Sequence, residues 1–231
     1  MIEIEQRSES GDRRDPDYTR AFSAGEIRAQ EHRAYVGGRW EEIGKLQLDF
    51  LVSQGLKPGL RLLDVGCGSL RGGVKFANYL DPGNYYGIDL NPHAIVAGYD
   101  HELDDEGRER LPVANLRGTD RFDGDFGVSF DMAIAHSVFT HLSLNNIRLC
   151  MYRVSKVMKP GATFYATFFE RPPGFPLDGH TRAQFTERNA FWYYRRDLRW
   201  ASRQGRWSFR HIGNWGHPGG QRMIELTRLE D

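Results

Sequence analysis

A chain of 231 residues with 39% hydrophobic and 13% aromatic side chains can bury a substantial core, which argues against wholesale disorder. Its 31 basic and 31 acidic residues leave no formal net charge, so nucleic acid is not expected as the main partner, since that affinity rests largely on phosphate neutralisation. Cys67 and Cys150 give no disulfide framework, the charged N-terminus is not a signal peptide, and no apolar run approaches the ~20 residues that cross a bilayer. These features predict a soluble cytoplasmic protein, monomeric or homodimeric, with no membrane partner.

In chain order, residues 1–17 are rich in Arg, Asp, Glu and Ser and read as a flexible tail. Residues 18–55 form a helical segment: one or two short helices to about Val36, a turn at Gly37-Gly38, and an apolar stripe from Trp40 to Leu51 that ends at Gly55. From residue 56 onward strands and helices alternate. Strands are predicted over 61–65, 85–89, 111–116, 130–135 and 163–169, with helices over 70–80, 92–106 and 144–158 between them. The C-terminal third differs: a loop at 171–176, a polar helix over 194–204, and two strands, 207–212 and 221–228, joined by one short loop. So short a connection predicts an antiparallel hairpin. The expected fold is α/β and Rossmann-like, a seven-stranded, mostly parallel sheet with helices on both faces and a helical lid at the N-terminus.

Leu62-Leu-Asp-Val-Gly-Cys-Gly-Ser-Leu-Arg-Gly-Gly73 is a strand, a glycine turn and a helix start. Gly66 and Gly68 permit a tight turn and close approach of a ligand, and the following helix offers exposed N–H groups. Asp89 ends the next strand, where a nucleotide-binding α/β unit carries its ribose-binding carboxylate. The dinucleotide fingerprint is G-x-G-x-x-G, whereas this loop is one residue longer. Asp64, directly before the turn, suits an ammonium and a sulfonium better than a pyrophosphate.

The loop, Asp89 and the terminal hairpin together resemble the class I, Rossmann-like S-adenosylmethionine-dependent methyltransferases of small-molecule type, over about residues 62–168 and more loosely to the C-terminus. The resemblance implies S-adenosylmethionine as cofactor, S-adenosylhomocysteine as product, and a small-molecule acceptor methylated on oxygen or nitrogen, such as a natural product or a peptide-like compound. It implies that Asp64, Gly66, Cys67, Gly68 and Arg71 lie against the cofactor, that Asp89 takes the ribose hydroxyls, and that Leu90 packs on adenine. Asp120 and Phe122 fall on the loop that meets adenine in such enzymes, where either Asp120 or Asp123 would face the exocyclic amine. Cys67 also reads as a small packing residue within the glycine turn.

Phe130-Asp-Met-Ala-Ile-Ala-His136 resembles the fourth-strand motif of the same enzymes. His136 follows the strand and should face the transferred methyl group, either as a general base or as a hydrogen-bonded lining residue. His141, five residues on, is a second catalytic candidate with packing as its alternative. Tyr35, Arg39 and Trp40 in the lid, with Trp192 and Trp215 in the aromatic C-terminal third, are candidates to touch the acceptor. No metal-ligand spacing emerges. Two other functions stay open at this point: an NAD(P)-dependent oxidoreductase, and a non-catalytic nucleoside-binding regulatory domain.

Overall fold

The structure is a computed structural model that describes residues 19–174 and 190–230. The expected tail, residues 1–17, and part of the 171–176 loop lie outside the described residues.

The N-terminal segment forms α1 (Ala24–Arg28), α2 (Glu31–Tyr35) and α3 (Trp40–Ser53). Ser23 starts α1 with a reciprocal capping box to Glu26, which satisfies two backbone donors at once. The sheet and its crossovers follow as β1 (Leu62–Val65), α4 (Gly73–Tyr79), β2 (Tyr85–Asp89), α5 (Pro92–Glu102), α6 (Asp105–Arg110), β3 (Leu116–Gly118), β4 (Phe130–Ala135), α7 (Leu144–Ser155) and β5 (Met158–Glu170). Then come β6 (Trp192–Tyr193), α8 (Arg195–Ser202), β7 (Trp207–Asn214) and β8 (Arg222–Arg228).

The strands lie in the order β3-β2-β1-β4-β5-β8-β7, with β6 pairing on β5. Pairs from β3 through β5 are parallel, while β8 runs antiparallel to both β5 and β7. The expected mixed α/β sheet with a terminal hairpin is therefore present, with β6 as a short eighth strand. Alternation along each strand sends side chains to two cores. Leu63 and Val65 join Phe164, Cys150 and Leu198 under α7 and α8, whereas Leu62 joins Tyr85, Phe76 and Leu51 under α3 and α4.

Several predicted boundaries move, each for a local reason. The 92–106 helix is two helices: Leu103 is extended, and Asp104 caps α6 by accepting from the Gly107 N–H. The predicted strand at 111–116 is mostly turn, because Pro112 has no N–H to give a ladder and leads into a 3-10 turn over Val113–Asn115. Leu70 adopts φ 65, which delays α4 to Gly73. The helix predicted to 158 ends at Ser155, ahead of the Lys159-Pro160-Gly161 stretch. That stretch lies inside β5, where the register on β4 shifts between Phe130 and Met132 and Gly161 takes φ 78.

Chain order reverses at β1, which is flanked by β2 on one side and β4 on the other. Such a switch point opens a crevice beyond the carboxyl ends of the strands. Here the crevice is roofed by the segment from α2 to α3.

Candidate active site

Gly66 and Gly68 make the glycine turn possible. Their φ angles are +78° and +54°, and a Cβ on either would meet Val138 Cγ2 at 2.3 Å or Val36 Cγ1 at 2.6 Å. The turn is thereby pressed between the end of β4 and the lid. Asp89 locks it from the neighbouring strand: one carboxylate oxygen accepts from the Gly68 N–H at 2.8 Å, the other from the Asn91 N–H at 2.8 Å. Each oxygen keeps a further lone pair. Burial raises the Asp89 pKa, against the backbone donors of Asn91, Gly68 and Leu90, which lower it.

Asp64 sits on the β1 face that carries Leu62, so it is buried, with the Tyr85 hydroxyl donating to it at 2.9 Å. Burial pushes its pKa up to about 7; the Tyr85 hydrogen bond opposes this, nearby Asp89 adds to it, and Arg71 works against it. Cys67 is buried, its thiol pKa driven well up by burial, and its Sγ lies where a Cβ on Gly87 would fall. It fills the space beside β2 as a packing residue.

Arg71 ties the crevice together. One guanidinium nitrogen donates to the carbonyls of Val36 and Gly38 in the lid, and the other lies 3.2 Å from His136 Nδ1. Burial lowers the Arg71 pKa to about 10, which leaves it charged at neutral pH. A guanidinium only donates, so Nδ1 of His136 must accept and Nε2 must carry the proton. Burial, with Arg71 and His217 beside it, holds the His136 pKa well below the ordinary value. His136 is therefore a neutral ring offering an N–H. Its basic lone pair is taken, which corrects the general-base reading of this residue.

Further contacts fasten the lid. Ser69 donates to the His32 carbonyl at 2.7 Å, and Asn91 reaches the Tyr35 hydroxyl at 3.2 Å. Glu102 on α5 receives His32 at 2.5 Å and Arg33 through two bonds of 2.7 Å. Burial would raise the Glu102 pKa, but Arg33 and His32 more than offset it and the net shift is downward.

A cavity of about 740 Å³ follows this crevice across the sheet. Every residue predicted to face the cofactor lines it: Asp64, Gly66, Cys67, Gly68, Arg71, Asp89, Leu90, Asp120, Phe122 and His136. His141, Tyr35 and Arg39 line it too. Three tryptophans do not. Trp40 packs on His32 and under the Arg33 guanidinium, and Trp192 stacks on Phe169 at the β6 edge with half its surface in solvent. Trp215 lies behind the cavity wall, in edge contact with His136 and Phe50 and stacked on His217. Aromatic content drew attention to them, but it serves core and edge packing as readily as a ligand wall.

The loop from Asn214 to His217, which as a hairpin connection is expected to lie away from the cofactor, instead reaches the cavity through His217, with Gln221 beside it. Gln221 donates to Ser137 Oγ at 2.8 Å, and the Ser137 N–H donates to Thr167 at 2.7 Å. These bonds hold Ser137 at φ 59 directly after His136. The His-Pro-Gly-Gly turn was the available signal for a loop folded back onto the sheet.

Residues 63–164 match the family model described as "Methyltransferase domain". The fold agrees with this. Over those residues the chain is similar to methyltransferase domains, and its fold is the Rossmann-like one of solved methyltransferases. A solved S-adenosylmethionine-dependent methyltransferase from Clostridium acetobutylicum is similar at TM-score 0.64 and 11% identity, over 90% of this chain and 100% of that one. An amino pentose methyltransferase from Micromonospora echinaspora, solved with bound SAM, gives 0.61 at 17% identity over 90% and 98%. The magnesium protoporphyrin IX methyltransferase of Synechocystis, with bound SAH, gives 0.59 at 17% over 89% and 95%. At such identities these neighbours establish the shared fold. Among the described residues, no helix is long and apolar enough to cross a membrane.

Proposed function

We propose that this protein transfers the methyl group of S-adenosylmethionine to a small-molecule acceptor in the 740 Å³ cavity, on an oxygen or nitrogen atom. The observation that carries the reading is the Asp89 carboxylate, pinned by the Gly68 N–H at the glycine turn and exposed to the cavity with acceptor capacity to spare. Two vicinal ribose hydroxyls need such a group. The site fits the rest of this cofactor as well. The backbone of Gly66 and Gly68 lines the cavity, in a turn that only glycine fits between Val138 and Val36, and Asp64 is a buried carboxylate that an ammonium or sulfonium would stabilise in its charged form.

In this reading Asp64, Gly66, Gly68 and Arg71 hold the amino-acid end, with Cys67 packed behind the turn. Leu90, Asp120 and Phe122 enclose the adenine. When bound, the cofactor supplies a methyl group on a positively charged sulfur, which is already a good leaving group. The protein's main task is then to hold the acceptor atom in line with that carbon and keep water out. His136, as an N–H donor beside Val138, orients the acceptor. For an acceptor that must lose a proton, the base is His141, which borders the cavity from the solvent side. Residues 56–231 act as the transfer unit and residues 18–55 as its lid, with Tyr35 and Arg39 over the ligands.

The test is calorimetric titration of the full chain with S-adenosylhomocysteine and, separately, NADH, followed by methyl transfer to a mixed panel of small acceptors. Saturable S-adenosylhomocysteine binding with none for NADH is expected. NADH binding without any response to S-adenosylhomocysteine would return the protein to the oxidoreductase reading. Cofactor binding with no transfer to any acceptor would favour a nucleoside-binding regulator.

A further inference from the structure

The cavity is electrically divided. Its carboxylates, Asp64, Asp89 and Asp120, all stand at the β1, β2 and β3 end. Its cationic and imidazole side chains, Arg39, Arg71, His136, His141 and His217, come from the lid, the start of α4, the end of β4 and the loop before β8. A ligand reaching from Asp89 past the glycine turn therefore leaves an acidic zone for one made of donors.

Two rings define that second zone. His136 is 7% exposed, and its Nε2, protonated because Nδ1 accepts from Arg71, has no hydrogen-bond partner among the described residues. Its ring centroid lies 5.2 Å from that of His217. Nδ1 of His217 accepts the Gly219 N–H at 3.1 Å, so in the neutral ring Nε2 again carries the proton. Burial, with Arg71 and Arg39 close by, lowers the His217 pKa to about 4, despite the opposing Glu42, and keeps the ring neutral. Trp215 fixes the face of His217 by stacking at 24°. Arg71 adds a buried positive charge whose hydrogen bonds go to two carbonyls and an imidazole. A buried donor left without an acceptor is costly, and the His136 N–H, with the half-buried His217 ring and a guanidinium beside it, suits an anionic oxygen.

We propose that the acceptor is a small carboxylic acid, bound as its carboxylate between His136 and His217 in the field of Arg71 and Arg39 and methylated on oxygen. This deepens, and rests on, the methyl-transfer reading above. The carboxylate oxygen supplies the electron pair for the new C–O bond, the C–S bond breaks with its pair moving to sulfur, and the sulfonium becomes a neutral thioether. No proton leaves the acceptor, so the reaction needs no base and His136 can serve as a donor throughout. The product is a neutral methyl ester, which the donor pair holds less strongly than the anion, and this favours release.

The full chain saturated with S-adenosylhomocysteine is titrated by calorimetry with benzoate and phenylacetate, and with benzamide and phenylacetamide as neutral counterparts. The acids should bind tighter than the amides by at least about tenfold, the scale of one charge-assisted hydrogen bond. His217→Phe should erase that preference while the S-adenosylhomocysteine dissociation constant stays within about twofold. His217→Gln, which keeps an N–H donor, should retain most of the preference. Melting curves of both variants confirm that they fold. If S-adenosylhomocysteine binds but acids and amides bind alike, or neither binds, the carboxylate proposal is overturned and the cofactor reading survives. If S-adenosylhomocysteine itself does not bind, both fall.

Discussion

The two halves of the cavity are built in opposite ways. The acidic half comes chiefly from one continuous stretch, strand–turn–helix–strand from Leu62 to Asp89, with partners one strand apart in the sheet and Asp120 added after β3. The donor-rich half is gathered around Arg71 of that same stretch by Arg39, His136 and His217, which are far apart in the chain and meet only when the lid and the last hairpin fold onto the sheet. A local motif can specify the first half. The second depends on tertiary packing, so Arg39, His136 and His217, unlike Arg71, can change without altering that motif.

The largest effect should come from Gly66→Ala, which strikes where the two halves touch. The added Cβ would meet Val138 Cγ2 at 2.3 Å on a backbone already at φ +78°. Left-handed strain and overpacking each cost about 1–3 kcal/mol, so a combined loss on the order of 2–6 kcal/mol is expected in stability, with cofactor binding lost as well. Thermal melting beside S-adenosylhomocysteine calorimetry checks this. An unchanged melting curve would mean that the turn can part from β4, and that the halves are less coupled than their contact implies.

Asp89→Ala should be smaller and confined to the acidic half. Removing hydrogen bonds to a charged group costs about 1.5–3 kcal/mol of cofactor affinity. Carboxylate discrimination at His217 should be untouched, since Asp89 is not among the groups acting on that ring. A dissociation constant for S-adenosylhomocysteine equal to that of the unaltered protein would remove Asp89 from the site.

The same division explains what the sequence could and could not convey. Asp64, Gly66, Gly68 and Asp89 were legible because each occupies a fixed offset from a strand end, and strand ends are marked by apolar runs and glycines. The parallel sheet with its closing hairpin was legible for the same reason. Trp40, Trp192 and Trp215 misled because aromatic content carries no direction: whether an indole faces a ligand or a core depends on long-range packing. The hairpin-loop reading puts His217 away from the cofactor because its role exists only beside His136, far off in the chain. The tautomer of His136 was equally hidden, since it is set by a hydrogen bond from Arg71 on a different element.

The smallest expected effect tests the acidic half by proton linkage. In the free protein Asp64 titrates near pH 7, raised chiefly by burial from the ordinary value of 3.8. A raised carboxylate favours the protonated form in the folded state, so its ionisation erodes stability as pH rises from about 4 to about 7. A bound cation beside Asp64 reverses this: it favours the carboxylate and lowers the pKa. Cofactor binding at pH 6 should therefore release up to about one proton, and at pH 8 almost none, because Asp64 is then already ionised. Calorimetry in buffers of different ionisation enthalpy reads the number directly. S-adenosylmethionine, with both ammonium and sulfonium charges, should release at least as much as S-adenosylhomocysteine, which has only the ammonium. Proton uptake at pH 6 would mean that the positive end of the cofactor lies away from Asp64. The polarity assigned to the cavity would then run the other way, with the amino-acid end among the histidines and the acceptor beside β1.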